Sequence, residues 1–207
     1  MAKVYVTRQL PEGGLDRLQG QHRVDVNPED RPLTREELLS VVREYDGVIC
    51  LLSDSIDSAV IAAAKGRVKI FANYAVGYDN IDIQAAAEAG IFVSNTPGVL
   101  TEATADLAWA LLLAVSRRLI PAHNDTLAGK FKGWHPTAYL GRDFSGATLG
   151  LVGAGRIGQA TARRARGFGM KMLYYNRSPK PVFEAECGAR QVDLETLLLE
   201  SDFVSLH

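Results

Sequence analysis

The 207-residue chain has no apolar run near the roughly 20 residues that a membrane-spanning helix needs, so no span is expected. Its N-terminus, MAKVYVTRQL, enters a strand pattern directly, without the apolar core of a secretory signal. Charge of one sign is also lacking: 23 Lys and Arg against 24 Asp and Glu leave a net charge of −1, with acids and bases interspersed. That gives no basic footprint for nucleic acid and no polybasic segment for an anionic membrane. Cysteine is scarce. Cys50 in an apolar strand and Cys187 beside a glycine turn read as free thiols in a reducing compartment. The four histidines form no metal-ligand spacing with carboxylates or cysteines. The expectation is a cytoplasmic protein with no nucleic-acid or membrane partner and no metal. What is present is a globular composition, 47% hydrophobic and 23% charged, sufficient for one large domain or two modest ones.

Through the first hundred residues short apolar runs alternate with helical segments. Strands are expected at 3–7, 22–27, 47–53, 68–75 and 91–96, with helices around 11–19, 34–45, 58–66 and 81–90. Thr34 and Glu37 stand at capping-box spacing, and Asp57 and Gly66 bracket the third helix. Near-continuous apolar strands alternating with helices predict a doubly wound parallel α/β sheet. From Thr101 the pattern changes. TEATADLAWALLLAVSRRL is apolar around most of its circumference, which suits a helix buried between domains, between subunits, or both. A looser polar stretch is expected from Pro121 to about Gly146. A second α/β pattern follows: strand 147–153, helix 156–168, strand 171–176, helix 192–201 and a buried strand over Phe203–Leu206.

The run Gly153-Ala154-Gly155-Arg156-Ile157-Gly158 is a G-x-G-x-x-G sequence between an apolar strand and a helix, the context a dinucleotide fingerprint requires. Gly153 permits the tight turn, Gly155 keeps the backbone clear for a pyrophosphate, and Gly158 lets helix and strand pack closely. The helix N-terminus then offers unpaired N–H groups to the phosphates. NAD sites usually place an Asp or Glu about 20 residues on, to bind the ribose 2′-hydroxyl. Here Asn176, Arg177 and Ser178 stand there instead. No carboxylate repels a 2′-phosphate and Arg177 can pair with one, so NADP is favoured over NAD.

Residues 73–118, NYAVGYDNIDIQAAAEAGIFVSNTPGVLTEATADLAWALLLAVSRR, followed by LGLVGAGRIGQA, resemble the D-isomer-specific 2-hydroxyacid dehydrogenases, and most of all their glyoxylate and hydroxypyruvate reductases. The resemblance runs through essentially the whole chain. It implies two Rossmann-like domains flanking a cleft: a flavodoxin-like substrate domain over 1–98 and a nucleotide domain over 99–207. It also implies a homodimer formed through the region of the 101–118 helix. By the same resemblance, Val76 and Gly77 match the loop whose backbone amides hold the substrate carboxylate, and Leu52 and Ser53 match the loop that covers the substrate. Thr104 matches a position near the nicotinamide-side phosphate, Arg156 and Ile157 the pyrophosphate turn, and Trp134 a tryptophan reaching the neighbouring subunit's active site. Plainer readings stand beside these: Leu52 as core, Thr104 as a helix-end hydroxyl, Trp134 as dimer packing. Where phosphoglycerate dehydrogenases of the family carry an Arg, this chain has Asn73, which favours a small unphosphorylated 2-oxo acid.

The family's catalytic Arg, Glu and His lie after the strand that here ends in His207. The resemblance therefore implies an N-terminal part of a reductase, inactive alone, with its nucleotide domain cut at a third strand. His207 matches the strand end beside the cofactor and not the proton donor. His22, His123 and His135 read as surface or packing residues. Two alternatives remain open: a dehydrogenase for a larger 2-oxo acid, and a non-catalytic NAD(P)-sensing module of the same fold.

Overall fold

The structure, a computed structural model, describes residues 1–207 and falls into two compact units, Met1–Gly98 and Val99–His207. The first unit holds β1 (Lys3–Val6), α1 (Asp16–Gln19), β2 (Arg23–Val26), α2 (Arg35–Glu44), β3 (Gly47–Cys50), α3 (Ser58–Ala64), β4 (Ile70–Asn73), α4 (Ile83–Glu88) and β5 (Phe92–Ser94). Its five strands are all parallel, in the order β2-β1-β3-β4-β5. Chain order therefore reverses between β1 and β3, the switch point at which doubly wound sheets place ligands. Val48, Cys50 and Phe71 from the strands pack with Leu38 and Val42 of α2, Val60 and Ile61 of α3, and Ala86 of α4. The Thr34 capping box forms in full: its hydroxyl accepts from the Glu37 N–H, and the Glu37 carboxylate accepts from the Thr34 N–H. Asp57 caps α3 by accepting from the N–H groups of Ala59 and Val60. The helix expected over 11–19 is confined to Asp16–Gln19, because Pro11 and two glycines occupy its start.

The second unit holds α5 (Thr101–Ser116), α6 (Leu119–Leu127), β6 (Thr148–Val152), α7 (Arg156–Ala165), β7 (Lys171–Tyr175), α8 (Pro181–Cys187), β8 (Arg190–Gln191), α9 (Leu194–Glu200) and β9 (Phe203–Leu206). Its parallel strands run in the order β8-β7-β6-β9, so chain order reverses between β6 and β9. Trp109 fastens α5 to α7. Its indole N–H donates to the Thr161 carbonyl at 2.8 Å and its ring stacks on Phe168 at 4.5 Å. Arg164 of α7 pairs with Glu102 and Asp106 of α5. Gly150 in β6 is a packing glycine, since an added Cβ would collide with Ser201 and Leu197.

Two expectations change here. The first part of the polar stretch, from Leu119 to Leu127, is helical as α6, beginning from Arg118 in the left-handed region at φ 52. Between β7 and α9 stand α8 and β8, both unanticipated, so residues Phe203–Leu206 are the fourth strand of their sheet and not the third. Within residues 1–207 that strand pairs with β6 and leaves Leu206 76% exposed. Helix α5 buries only one stripe within its unit, through Ala105, Trp109 and Ser116, and leaves Leu107, Leu111 and Val115 exposed.

Candidate functional site

In the first unit the loops after β3 and β4 leave the sheet at the same edge. The β3 loop carries Leu52, 57% exposed, and Ser53. The β4 loop carries Val76 and Gly77, and a Cβ placed on Gly77 would stand 3.9 Å from Leu52 Cδ2. The fold thus brings these four predicted residues together. A buried polar group beneath them sets their positions. Asp54 accepts from the Thr7 hydroxyl at 2.5 Å and from the Leu51 N–H at 2.8 Å, which folds the β3 loop back on itself. Asn73 and Asn80 exchange amide hydrogen bonds at 3.1 and 3.3 Å. Asn80 also donates to the carbonyls of Leu51 and Asp54, so one side chain ties the two loops together. Burial first, and the nearby Asp54 carboxylate second, push the Cys50 thiol up to about 12, leaving a neutral hydrogen-bonding group and not a nucleophile.

Three successive carbonyls of the β4 loop are held from the protein side. Ala75 O accepts from the Thr96 N–H at 2.8 Å and its hydroxyl at 3.0 Å. Val76 O accepts from the Asn95 amide at 2.8 Å, and Gly77 O from the Asn73 amide at 2.8 Å. The N–H groups of Val76, Gly77 and Tyr78 have no protein acceptor. Such a row of free amides can receive an anion. Asn73 is therefore engaged under the loop and does not face outward. Asn95, Thr96 and Asn80 were not anticipated. Their signal was polar residues at the ends of apolar strands, which alone does not say which carbonyl each will meet.

In the second unit the glycine turn joins β6 to α7. Gly153 has φ +104, and an added Cβ would run into the His207 carbonyl. A Cβ on Gly158 would collide with the Gly153 carbonyl. Gly155 differs, for a Cβ there would meet no protein atom within 4 Å. The protein itself does not require glycine at 155, whereas a phosphate lying against the backbone would. Arg156 and Ile157 open α7, which begins without a side-chain cap, so its first N–H groups remain available. Thr104 lies half-buried in the first turn of α5.

Asn176 bridges the turn to the loop after β7. Its carbonyl oxygen accepts from the Ala154 N–H at 3.2 Å, and its amide donates to Ser178 O at 2.8 Å. Both ends of that side chain are thus engaged within the protein. Arg177 and Ser178 are exposed, and Arg177 takes part in no ion pair, so its guanidinium is free for an anion. His207 lies against the turn, its ring beside Gly158, and burial pushes its imidazole below the ordinary histidine range. His22 is half-buried with Nδ1 unpartnered, His123 lies on α6, and His135 Nδ1 accepts from the Thr137 N–H at 3.3 Å. None of the three adjoins either set of loops within its own unit. Trp134 is 86% exposed and does not pack inside its unit.

Residues 4–195 match the family model of the D-isomer specific 2-hydroxyacid dehydrogenase catalytic domain. A glyoxylate reductase of Thermococcus kodakarensis is 56% identical over 99% of this chain, and the chain spans 62% of that protein's length. A crystal structure of a Thermus thermophilus protein superposes with a TM-score of 0.91 at 49% identity, over 99% of this chain and 64% of that one. An acyclic imino acid reductase solved in complex with NADPH and D-Arg superposes at 0.85 with 29% identity, over 99% of this chain and 64% of that one. No helix is long and apolar enough to cross a membrane. With its two parallel sheets and glycine turn, the chain belongs to the D-isomer specific 2-hydroxyacid dehydrogenase family.

Proposed function

We propose that the chain carries the substrate-carboxylate loop and the nucleotide turn of an NADPH-dependent reductase. Its substrate is a small 2-oxo acid, glyoxylate or hydroxypyruvate. The observation that carries this reading is the row of free amides at Val76, Gly77 and Tyr78, next to Leu52, in a chain of this family. Backbone donors suit a carboxylate because they are rigid and already oriented. Leu52 and Ser53 close over the substrate and leave room for a short one, and Asn73, committed beneath the loop, offers no charge to a phosphorylated one. NADPH, when bound, supplies the hydride that reduces the 2-oxo carbon. The turn Gly153–Gly158 and the first N–H groups of α7 hold its pyrophosphate, Thr104 stands near the nicotinamide-side phosphate, and Arg177 with Ser178 receives the 2′-phosphate. Asn176 holds those two residues against the turn. That an imino acid reductase of this fold was solved with NADPH supports the cofactor class.

We place the proton-donating His, with its Glu and the carboxylate-binding Arg, outside residues 1–207, in the share of its relatives' length that this chain does not span. A second copy pairs through the outer face of α5 and brings Trp134 to the neighbouring site. Two free cysteines suit the reducing cytoplasm. The test is NADPH consumption with glyoxylate and with hydroxypyruvate. It compares the 207-residue chain with a chimera that continues it with the remaining third of the Thermococcus relative. The chain should be silent and the chimera active. Turnover by the chain would refute the placement of the proton donor. A chimera that binds NADPH yet reduces neither acid would refute the reductase and favour a sensing module.

A further inference from the structure

The amides of Val76, Gly77 and Tyr78 can hold a carboxylate only if three successive peptide planes keep one orientation. The segment is an exposed loop with no helix or ladder to impose it. In a trans peptide the carbonyl of one residue and the N–H of the next point in opposite directions, and this chain has no cis peptide. Fixing a carbonyl inward therefore fixes the following N–H outward. The structure shows this three times in a row: Thr96 holds Ala75 O, Asn95 holds Val76 O, and Asn73 holds Gly77 O. The outward groups are the N–H of Val76, of Gly77 and of Tyr78 in turn, none of which has a protein acceptor.

We propose that Asn73, Asn95 and Thr96 are positioning residues that hold the amide row ready for a carboxylate, with Tyr78 N–H as its third donor. The inference rests on the 2-oxo acid reading of this loop. The three are not equal. Ala75 O keeps the backbone N–H of Thr96 whatever side chain stands there, whereas Val76 O and Gly77 O each depend on a single amide. Asn73 is buried and also receives the Cys50 thiol, so its removal disturbs packing as well. Asn95, half-buried and bonded to this one carbonyl, is the clean position.

The experiment follows the backbone amide resonances of the 15N-labelled 207-residue chain while glyoxylate is titrated and, separately, while pH is varied without ligand. In the wild type, glyoxylate should move the resonances of Val76, Gly77 and Tyr78. Asn95→Asp replaces a donor with an acceptor of the same shape, so at neutral pH the Val76–Gly77 peptide turns and glyoxylate binding weakens at least about tenfold. As pH falls through about 4 the new carboxyl gains a proton and can donate again. The Gly77 amide should then return to its wild-type position, a step the wild type lacks and a merely structural residue would not produce. Thr96→Val should weaken binding less than Asn95→Asp, and Thr96→Ser not at all. Wild-type affinity in Asn95→Asp with no pH step at Gly77 would overturn the proposal. Wild-type amides that ignore glyoxylate would overturn the 2-oxo acid reading, while the ligand-free pH step would still judge the positioning role.

Discussion

Gly155 and Gly158 sit three positions apart in one turn and are glycine for different reasons. An added methyl at Gly158 meets the backbone of Gly153, which cannot move without opening the turn. Overpacking of that kind costs about 1–3 kcal/mol, so Gly158→Ala should lower the melting temperature and weaken nucleotide binding together. Gly155→Ala meets no protein atom and has a φ of −75, so it should melt like the wild type yet bind NADPH at least about tenfold more weakly. Thermal melts paired with calorimetry separate the two; a Gly155→Ala chain with unchanged NADPH affinity would remove the phosphate from that position. The glycines were legible in the sequence because a strand and a helix flank them. Asn73 was legible only as the absence of an Arg. That its amide grips Gly77 O, and that Asn95 and Thr96 complete the row, depends on where three strand ends meet in the sheet.

Among elements, α2 shows how far local rules reach. Its capping box was readable from Thr34 and Glu37, and Arg31 adds what spacing did not disclose, a pair of hydrogen bonds to the Glu37 carboxylate at 2.7 and 2.8 Å. Arg31 first, and the Thr34 N–H second, hold the Glu37 carboxyl down at about 2, against an ordinary value of 4.5. A folded-state value below the unfolded one means stability that is present above about 4.5 and is lost as pH falls from there towards about 2. Acid titration followed by circular dichroism should show that loss in the wild type. In Glu37→Gln the same segment should be weakened already at neutral pH and lose less across that window; an unchanged acid limb would show that the pair contributes nothing. Because the pair is exposed, added salt should shrink the difference. Helix α8 escaped notice although Pro181 at its start and Gly188 in the left-handed region at its end are ordinary punctuation. Seven residues offered too little periodicity, and β8 is only two residues long.

At the scale of the whole molecule, two parallel sheets of different strand order each reverse direction once, and Leu52 and Ser53 after β3 and the glycine turn after β6 stand at the strand ends beside those reversals. The alternation of strand and helix made both sheets legible. The outer face of α5 is apolar beyond what its own unit buries. If a second copy covers it, Leu111→Asp should convert a dimer into a monomer in sedimentation while leaving the melting temperature of each unit's core intact; a wild-type monomer would contradict that pairing. The proposed choice of NADPH rests on the nucleotide turn and on Arg177 and Ser178 beside it. Its most direct test is calorimetric titration of the 207-residue chain with NADPH and with NADH. NADPH should bind at least about tenfold more tightly, and Arg177→Ala should erase the difference without changing NADH. Equal affinities would contradict the choice of NADP, and binding of neither would contradict the role assigned to the turn itself.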